Sequence, residues 1–204
     1  MLTTVVDWRI GNNTLTGSIP SELGNCQQLT YLDLFQNRLT GTLPSEVGLL
    51  TNAEYLFFEA NSLHGTLPTE LGDLENLSNF WIYSNQISGS LPSEMGRCQS
   101  LKQLDVSFNR LKGTLPSEIG LISNVEHLVL SNNAFYGQIP SELGNLRQLA
   151  RLELHDNAFT GTMPAEICSL VTSSGRIRLS DLTVDCSRVF CDCCNCFAGQ
   201  AFNN

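Results

Sequence analysis

"LTYLDLFQNRLTGTLPSEVGLLTN", residues 29–52, is the stretch from which the rest of the chain can be read. Its decapeptide LTGTLPSEVG (39–48) returns as LHGTLPTELG (63–72), ISGSLPSEMG (87–96) and LKGTLPSEIG (111–120). All seven prolines, Pro20, Pro44, Pro68, Pro92, Pro116, Pro140 and Pro164, follow one another at steps of 24 residues. Seven glycines from Gly17 to Gly161, and the asparagines Asn13, Asn37, Asn61, Asn85, Asn109, Asn133 and Asn157, keep the same step. A fixed period of this length marks a stack of repeated coils, not a globule around one centred core. The repetition runs over roughly residues 5–170.

Within the unit, Leu29, Leu32 and Leu34 are apolar among polar or variable neighbours. Alternation at 32–34 predicts a short strand with Leu32 and Leu34 inward and Asp33 outward. Asn37 then falls in an apolar setting, where its amide must be hydrogen-bonded. With two donors and two acceptor lone pairs it can bridge the backbones of adjacent coils. Gly41 lets the chain bend, and Pro44 fixes φ for the next turn. Ser45 is expected to cap a short helical turn, with Glu46 beside its positive end.

The consensus L-x-x-L-x-L-x-x-N-x-L-x-G-x-[IL]-P-x-x-[LIVM]-G resembles the plant-specific class of leucine-rich repeat. That class includes ectodomains of receptor kinases and polygalacturonase-inhibiting proteins. The resemblance implies an α/β solenoid, a right-handed superhelix of 24-residue coils. It also implies a parallel β-sheet on the concave face, short 3-10 or helical segments on the convex side, and a second short sheet near "TGT". The expected organisation is an array over 1–170, about seven coils with the first incomplete, and a cysteine-rich C-terminal cap over 171–204.

Composition narrows the partners. The 204 residues carry 11 basic and 20 acidic side chains, a net charge of −9. Seven of the acids form one column, Glu22 to Glu166, read as a solvated edge near helical N-termini. No Lys/Arg cluster points to nucleic acid or an anionic membrane. No apolar run approaches the ~20 residues of a membrane span, so no membrane contact is expected within this segment.

Cys26 and Cys98 lie 72 residues apart, three whole periods, in a column held elsewhere by Leu50, Leu74, Ile122 and Leu146. At about 4.8 Å per coil they stand roughly 14 Å apart, beyond the ~7 Å a disulfide allows. They are expected to be free, buried thiols. Cys168, Cys186, Cys191, Cys193, Cys194 and Cys196 crowd the end. Three disulfides with open connectivity would tie a cap there; zinc or copper thiolate ligation is the alternative. The preceding stretch keeps only Ile177, Leu179 and Leu182, read as one position out of phase with the repeat. The ending LTVDCSRVFCDCCNCF resembles caps of secreted leucine-rich repeat proteins from diatoms and related algae. Disulfides imply an oxidising compartment, hence a secreted or cell-surface protein. MLTTVVDWRIGNN already reads as a repeat and not as a signal peptide, so the chain is expected to be a piece of a longer protein. Asn12 and Asn76 head glycosylation sequons.

Function must come from the variable concave positions. One row reads Asp7, Tyr31, Tyr55, Asn79, Gln103, His127, Arg151; the next Arg9, Asp33, Phe57, Trp81, Asp105, Val129, Glu153; the third Gly11, Phe35, Glu59, Tyr83, Ser107, Ser131, His155. Six aromatics, Tyr31, Phe35, Tyr55, Phe57, Trp81 and Tyr83, fall in three consecutive coils and are expected to face solvent as a ligand-binding patch. Asp105, His127, Arg151, Glu153 and His155 make a secondary polar region beyond it. No nucleophile motif, phosphate loop or metal-spaced histidine pair suggests an enzyme or a cofactor. The sequence reading is an extracellular module for a protein or peptide ligand, with a cell-wall polysaccharide the lesser choice. Its alternatives are an inhibitor of a cell-wall-degrading hydrolase and an ice-binding protein using the hydroxyl rows Thr16/Ser18, Thr40/Thr42, Ser88/Ser90 and Thr160/Thr162.

Overall fold

A computed structural model of the chain describes residues 4–172 and 179–196. Nine strands form one parallel sheet in chain order: Asp7–Arg9, Tyr31–Asp33, Tyr55–Phe57, Asn79–Trp81, Gln103–Asp105, His127–Val129, Arg151–Glu153, Asp181–Val184 and Asn195–Cys196. Through the strand Arg151–Glu153 the register keeps the 24-residue step, Tyr31 opposite Tyr55 and Phe57 opposite Trp81. On the other side of each coil lies a 3-10 helix, from Ser21–Asn25 to Ser141–Asn145, and then the α-helix Ala165–Thr172. A second parallel sheet of five strands runs His64–Thr66, Gln86–Gly89, Arg110–Gly113, Ala134–Gly137 and Ala158–Phe159.

The core is a column of leucine-type residues repeated coil by coil. Leu29, Leu32, Leu56, Leu77, Leu104 and Leu128 are wholly buried. Each such side chain contributes about 1.5–3 kcal/mol by leaving water. Phe58, Phe80, Phe135 and Phe159 fill wider layers of the same core.

The asparagines close the coils on one another. The Asn85 Nδ2 donates to the carbonyls of Phe58 (3.0 Å), Ile82 (3.1 Å) and Tyr83 (3.3 Å), and its Oδ1 accepts the Leu63 N–H at 2.9 Å. Asn37, Asn61, Asn109, Asn133 and Asn157 repeat the pattern.

Two glycine columns have different causes. Gly17 to Gly161 take φ between +79° and +96°, which only glycine adopts freely. A second column is a matter of crowding: a Cβ on Gly24, Gly48, Gly72, Gly96 or Gly120 would lie 2.4–2.6 Å from the carbonyl oxygen of a glutamate in the next coil.

Two local expectations are corrected. The residues after the prolines do not cap the 3-10 helices. Proline itself occupies the cap position at φ −63° to −75°, with no side-chain cap bond. The following hydroxyl is already inside the helix and lies 3.2–3.5 Å from the adjacent glutamate carboxylate. Nor is the segment after the array out of phase. Leu182 pairs in register with Leu152, and Leu179, Leu182 and Val184 are buried as Leu149, Leu152 and Leu154 are. The stretch LSDLTV is another coil reached by a longer step. Asp185 accepts the backbone N–H groups of Asp156 and Asn157, each at 3.1 Å. Ile177 lies outside the described residues. The boundary expected at 170/171 falls inside the helix Ala165–Thr172.

Cys168 is bonded to Cys193, Cys186 to Cys196 and Cys191 to Cys194. The sulfurs of Cys168, Cys191 and Cys193 lie within 4.8 Å of one another, but each is in a disulfide and so offers no thiolate to a metal. Cys26 and Cys98 are free and buried; burial pushes the Cys98 thiol up to about 11.

Candidate functional site

The concave surface is built by the strands, because residues flanking each inward leucine must point away from the core. Parallel register then stacks equivalent positions of successive coils into rows. Where the sequence places rings in adjacent coils, the rings must meet.

They do so over three coils. The ring centroids of Tyr31 and Tyr55 are 5.3 Å apart, those of Tyr31 and Phe57 5.4 Å, and those of Phe57 and Trp81 4.5 Å. Interplanar angles of 33–80° give a faceted surface, not a flat one. Arg9 extends the row, its guanidinium 4.2 Å from the Tyr31 ring centre and its Nε donating to Asp7 at 2.9 Å. Tyr31, Tyr55 and Trp81 are half-buried and retain a free face.

Phe57 departs from expectation. It is 8% exposed, covered by Tyr31, Tyr55 and Trp81. Its neighbours shed water by closing over it, so it is the floor of the patch and not part of its contact surface. Phe35 and Tyr83 belong to the third row and make no ring pair among the described residues. Phe35 lies over Gly11, where a Cβ would come within 2.2 Å of its ring.

Beside the rings stand three carboxylates, Asp33, Glu59 and Asp105, of which the sequence reading singled out only Asp105. Glu59, in the same row as Phe35 and Tyr83, is 5% exposed. Burial, with Asp33 and Asp105 adding repulsion, raises its carboxyl to about 7. Burial also raises the Asp105 carboxyl and the Tyr83 hydroxyl. Asp33 accepts the Phe35 N–H at 3.1 Å; Asp105 accepts the Ser107 N–H at 3.0 Å and its hydroxyl at 2.6 Å. The signal missed was a glutamate in a variable row among aromatics, which spacing alone cannot mark as buried.

The polar residues expected further along are mostly paired internally. Arg151 bonds Glu153 and reaches Asp181 at 3.3 Å, and Ser131 donates to Glu153 at 3.0 Å. His155 Nδ1 is 2.8 Å from the Thr183 hydroxyl, and His127 is half-buried in the first row. These groups form no convergent catalytic constellation. Asn12 and Asn76 are exposed; the Asn76 Nδ2, the atom a glycan would occupy, donates to the Thr51 carbonyl at 2.9 Å.

The Leucine Rich Repeat sequence profile matches residues 28–50, 100–122 and 124–146. The structure is similar to the ectodomain of the plant membrane receptor kinase GASSHO1/SCHENGEN3 from Arabidopsis thaliana, in complex with CASPARIAN STRIP INTEGRITY FACTOR 2. The TM-score is 0.79 at 38% identity, over 80% of this chain and 20% of that one. It is also similar to the Arabidopsis receptor kinase HAESA in complex with the peptide hormone IDA and the co-receptor SERK1, with a TM-score of 0.84 at 31% identity, over 89% and 29% of the two chains. The chain therefore spans under a third of the length of these two. A plant ice-binding protein matches with a TM-score of 0.64 over 87% of this chain and 63% of its own, at 22% identity, a likeness of fold alone. No curated protein matches the sequence.

Proposed function

This chain belongs to the leucine-rich repeat family, and on that premise we propose that it is an extracellular binding module recognising a protein or peptide through its concave face. The observation that carries the reading is the set of half-exposed rings Tyr31, Tyr55 and Trp81, each in contact with the buried Phe57 beneath them. Aromatic clusters with one free face are what protein partners use as anchors. The tilts suit side chains entering between rings better than a sugar chain lying flat on them. Similar ectodomains are solved in complex with CASPARIAN STRIP INTEGRITY FACTOR 2 and with the peptide hormone IDA, which supports a peptide-sized ligand. Three disulfides favour an oxidising, extracellular setting.

The ice-binding alternative is less well supported. His64, Lys112, Tyr136 and Gln138 are exposed and interrupt the hydroxyl rows.

The test is selection of peptides from a random display library against the intact chain, followed by affinity measurement with variants. Trp81→Ala is expected to weaken binding by about 30-fold, the equivalent of about 2 kcal/mol for an interface hot spot. Tyr136→Ala, which removes an exposed ring on the other sheet, should leave it unchanged. The opposite pattern would overturn the proposal.

A further inference from the structure

Glu59 is unexplained by the packing around it. Its Oε2 is sheltered and has no hydrogen-bond partner among the described residues. A buried carboxylate oxygen without a donor is costly, and such groups in native proteins ask for a reason. Here the surroundings add to the cost. Asp33 and Asp105 repel its charge, and Tyr31 and Tyr83 feel that charge on their hydroxyls. Among the described residues the two arginines of the concave strands are engaged elsewhere, Arg9 with Asp7 and Tyr31, Arg151 with Glu153 and Asp181.

The placement is specific. The Gln36 N–H donates to the Glu59 carbonyl at 2.9 Å, and the Ala60 N–H to the Tyr83 carbonyl at 3.0 Å. These bonds set Glu59 between Phe35 and Tyr83 in one row. Both rings are half-buried, as are Asp33 and Asp105. These two adjoining rows therefore combine three carboxylates with two rings, and one of the carboxylate oxygens lacks a donor among the described residues.

We propose that Glu59, Asp33 and Asp105, walled by Phe35 and Tyr83, form a subsite for an arginine side chain of the ligand. A guanidinium fits this chemistry better than an ammonium. It is planar, stacks on rings, is weakly hydrated, and has five donors to divide among carboxylates. The inference rests on the concave face being the peptide surface and specifies one residue of the peptide.

A pH dependence follows, with the sign fixed by the site. The Glu59 carboxyl ionises at about 7 in the free protein, because of burial and the two aspartates, against the pull of a hydrogen bond from its own backbone. A guanidinium favours the ionised form. Affinity for it should rise with pH through neutrality, and binding should release a proton.

The experiment uses a capped Gly-Arg-Gly peptide as probe and a capped Gly-Gln-Gly peptide as control, at about 0.15 M salt. Binding is read from the NMR signals of the Tyr83 amide and the Trp81 indole N–H. Saturable shifts are expected with the arginine peptide at about pH 8, several-fold weaker at about pH 6, and absent with the glutamine peptide. Glu59→Gln keeps the shape and should lower the affinity by about tenfold or more. An unchanged spectrum over the rest of the sheet would show that the variant is folded. Absence of saturable shifts in the wild type at about pH 8, or equal affinity in Glu59→Gln, would overturn the subsite. In that event a display-selected peptide that still loses affinity with Trp81→Ala would leave the concave-face reading standing.

Discussion

Asn85 is held at four points, by three carbonyls and one N–H from two coils, and is 9% exposed. Truncating it leaves those backbone groups unpaired inside the protein. Asn85→Ala is expected to cost about 3 kcal/mol in a denaturant titration. Ser84 beside it is exposed but left-handed at φ 55°, as Asn12, Gln36, Ala60, Phe108, Asn132 and Asp156 are in their coils. Ser84→Val should cost about 1–2 kcal/mol although it touches no core, while Ser84→Gly should cost nothing. Equal stabilities would show that the turn tolerates any side chain. Glu59 gives a third test. Its carboxyl binds protons more tightly folded than unfolded, so the native state holds the extra proton between about 4.5 and about 7. Stability should therefore fall as pH rises through that window and level off above it. Glu59→Gln should be more stable than the wild type at about pH 8 and equal to it at about pH 4.

At the scale of the element, coil spacing is set by a residue with no side chain. A Cβ on Gly96 would sit 2.4 Å from the Glu118 carbonyl oxygen, and backbone on both sides prevents escape. Gly96→Ala should destabilise by about 2 kcal/mol or more, measured by thermal melting; a melting point like that of the wild type would mean the coils are loosely stacked. Much of this architecture was legible in the sequence, because a 24-residue period repeats each cause many times over. Leu32, Asn37, Gly41 and Pro44 announce strand, ladder, bend and turn together. What was not legible depended on neighbours across coils. The crowding at Gly96, the covering of Phe57 by Trp81 and the burial of Glu59 arise from stacking, which a single repeat does not display. The coil at Leu179–Val184 was obscured because its step is longer, not because its pattern is weaker.

For the whole molecule, stability in a stack of coils passes from neighbour to neighbour, so its ends matter more than their size suggests. The strands Asp181–Val184 and Asn195–Cys196 extend the concave sheet and are tied by the disulfides Cys168–Cys193 and Cys186–Cys196. We propose that this segment acts as a cap. The Cys168–Cys193 bond spans 25 residues, and closing a loop of that length is worth about 3.5 kcal/mol in the chain-entropy account. Reduction should lower the melting temperature, with hydrogen exchange rising first at 181–184 and then at 151–153. Unchanged melting on full reduction would leave the bonds without a structural role. The aromatic patch lies several coils away, so ligand affinity of the folded fraction should survive reduction. The claim on which the rest depends is that the concave rings, and not the second sheet, meet the ligand. Backbone amide shifts of the full chain, titrated with a display-selected peptide, decide it. Shifts clustered at Tyr31, Tyr55, Trp81 and Tyr83, with His64, Lys112 and Tyr136 still, are predicted; shifts at His64, Lys112 and Tyr136 with the concave rows still would contradict the account.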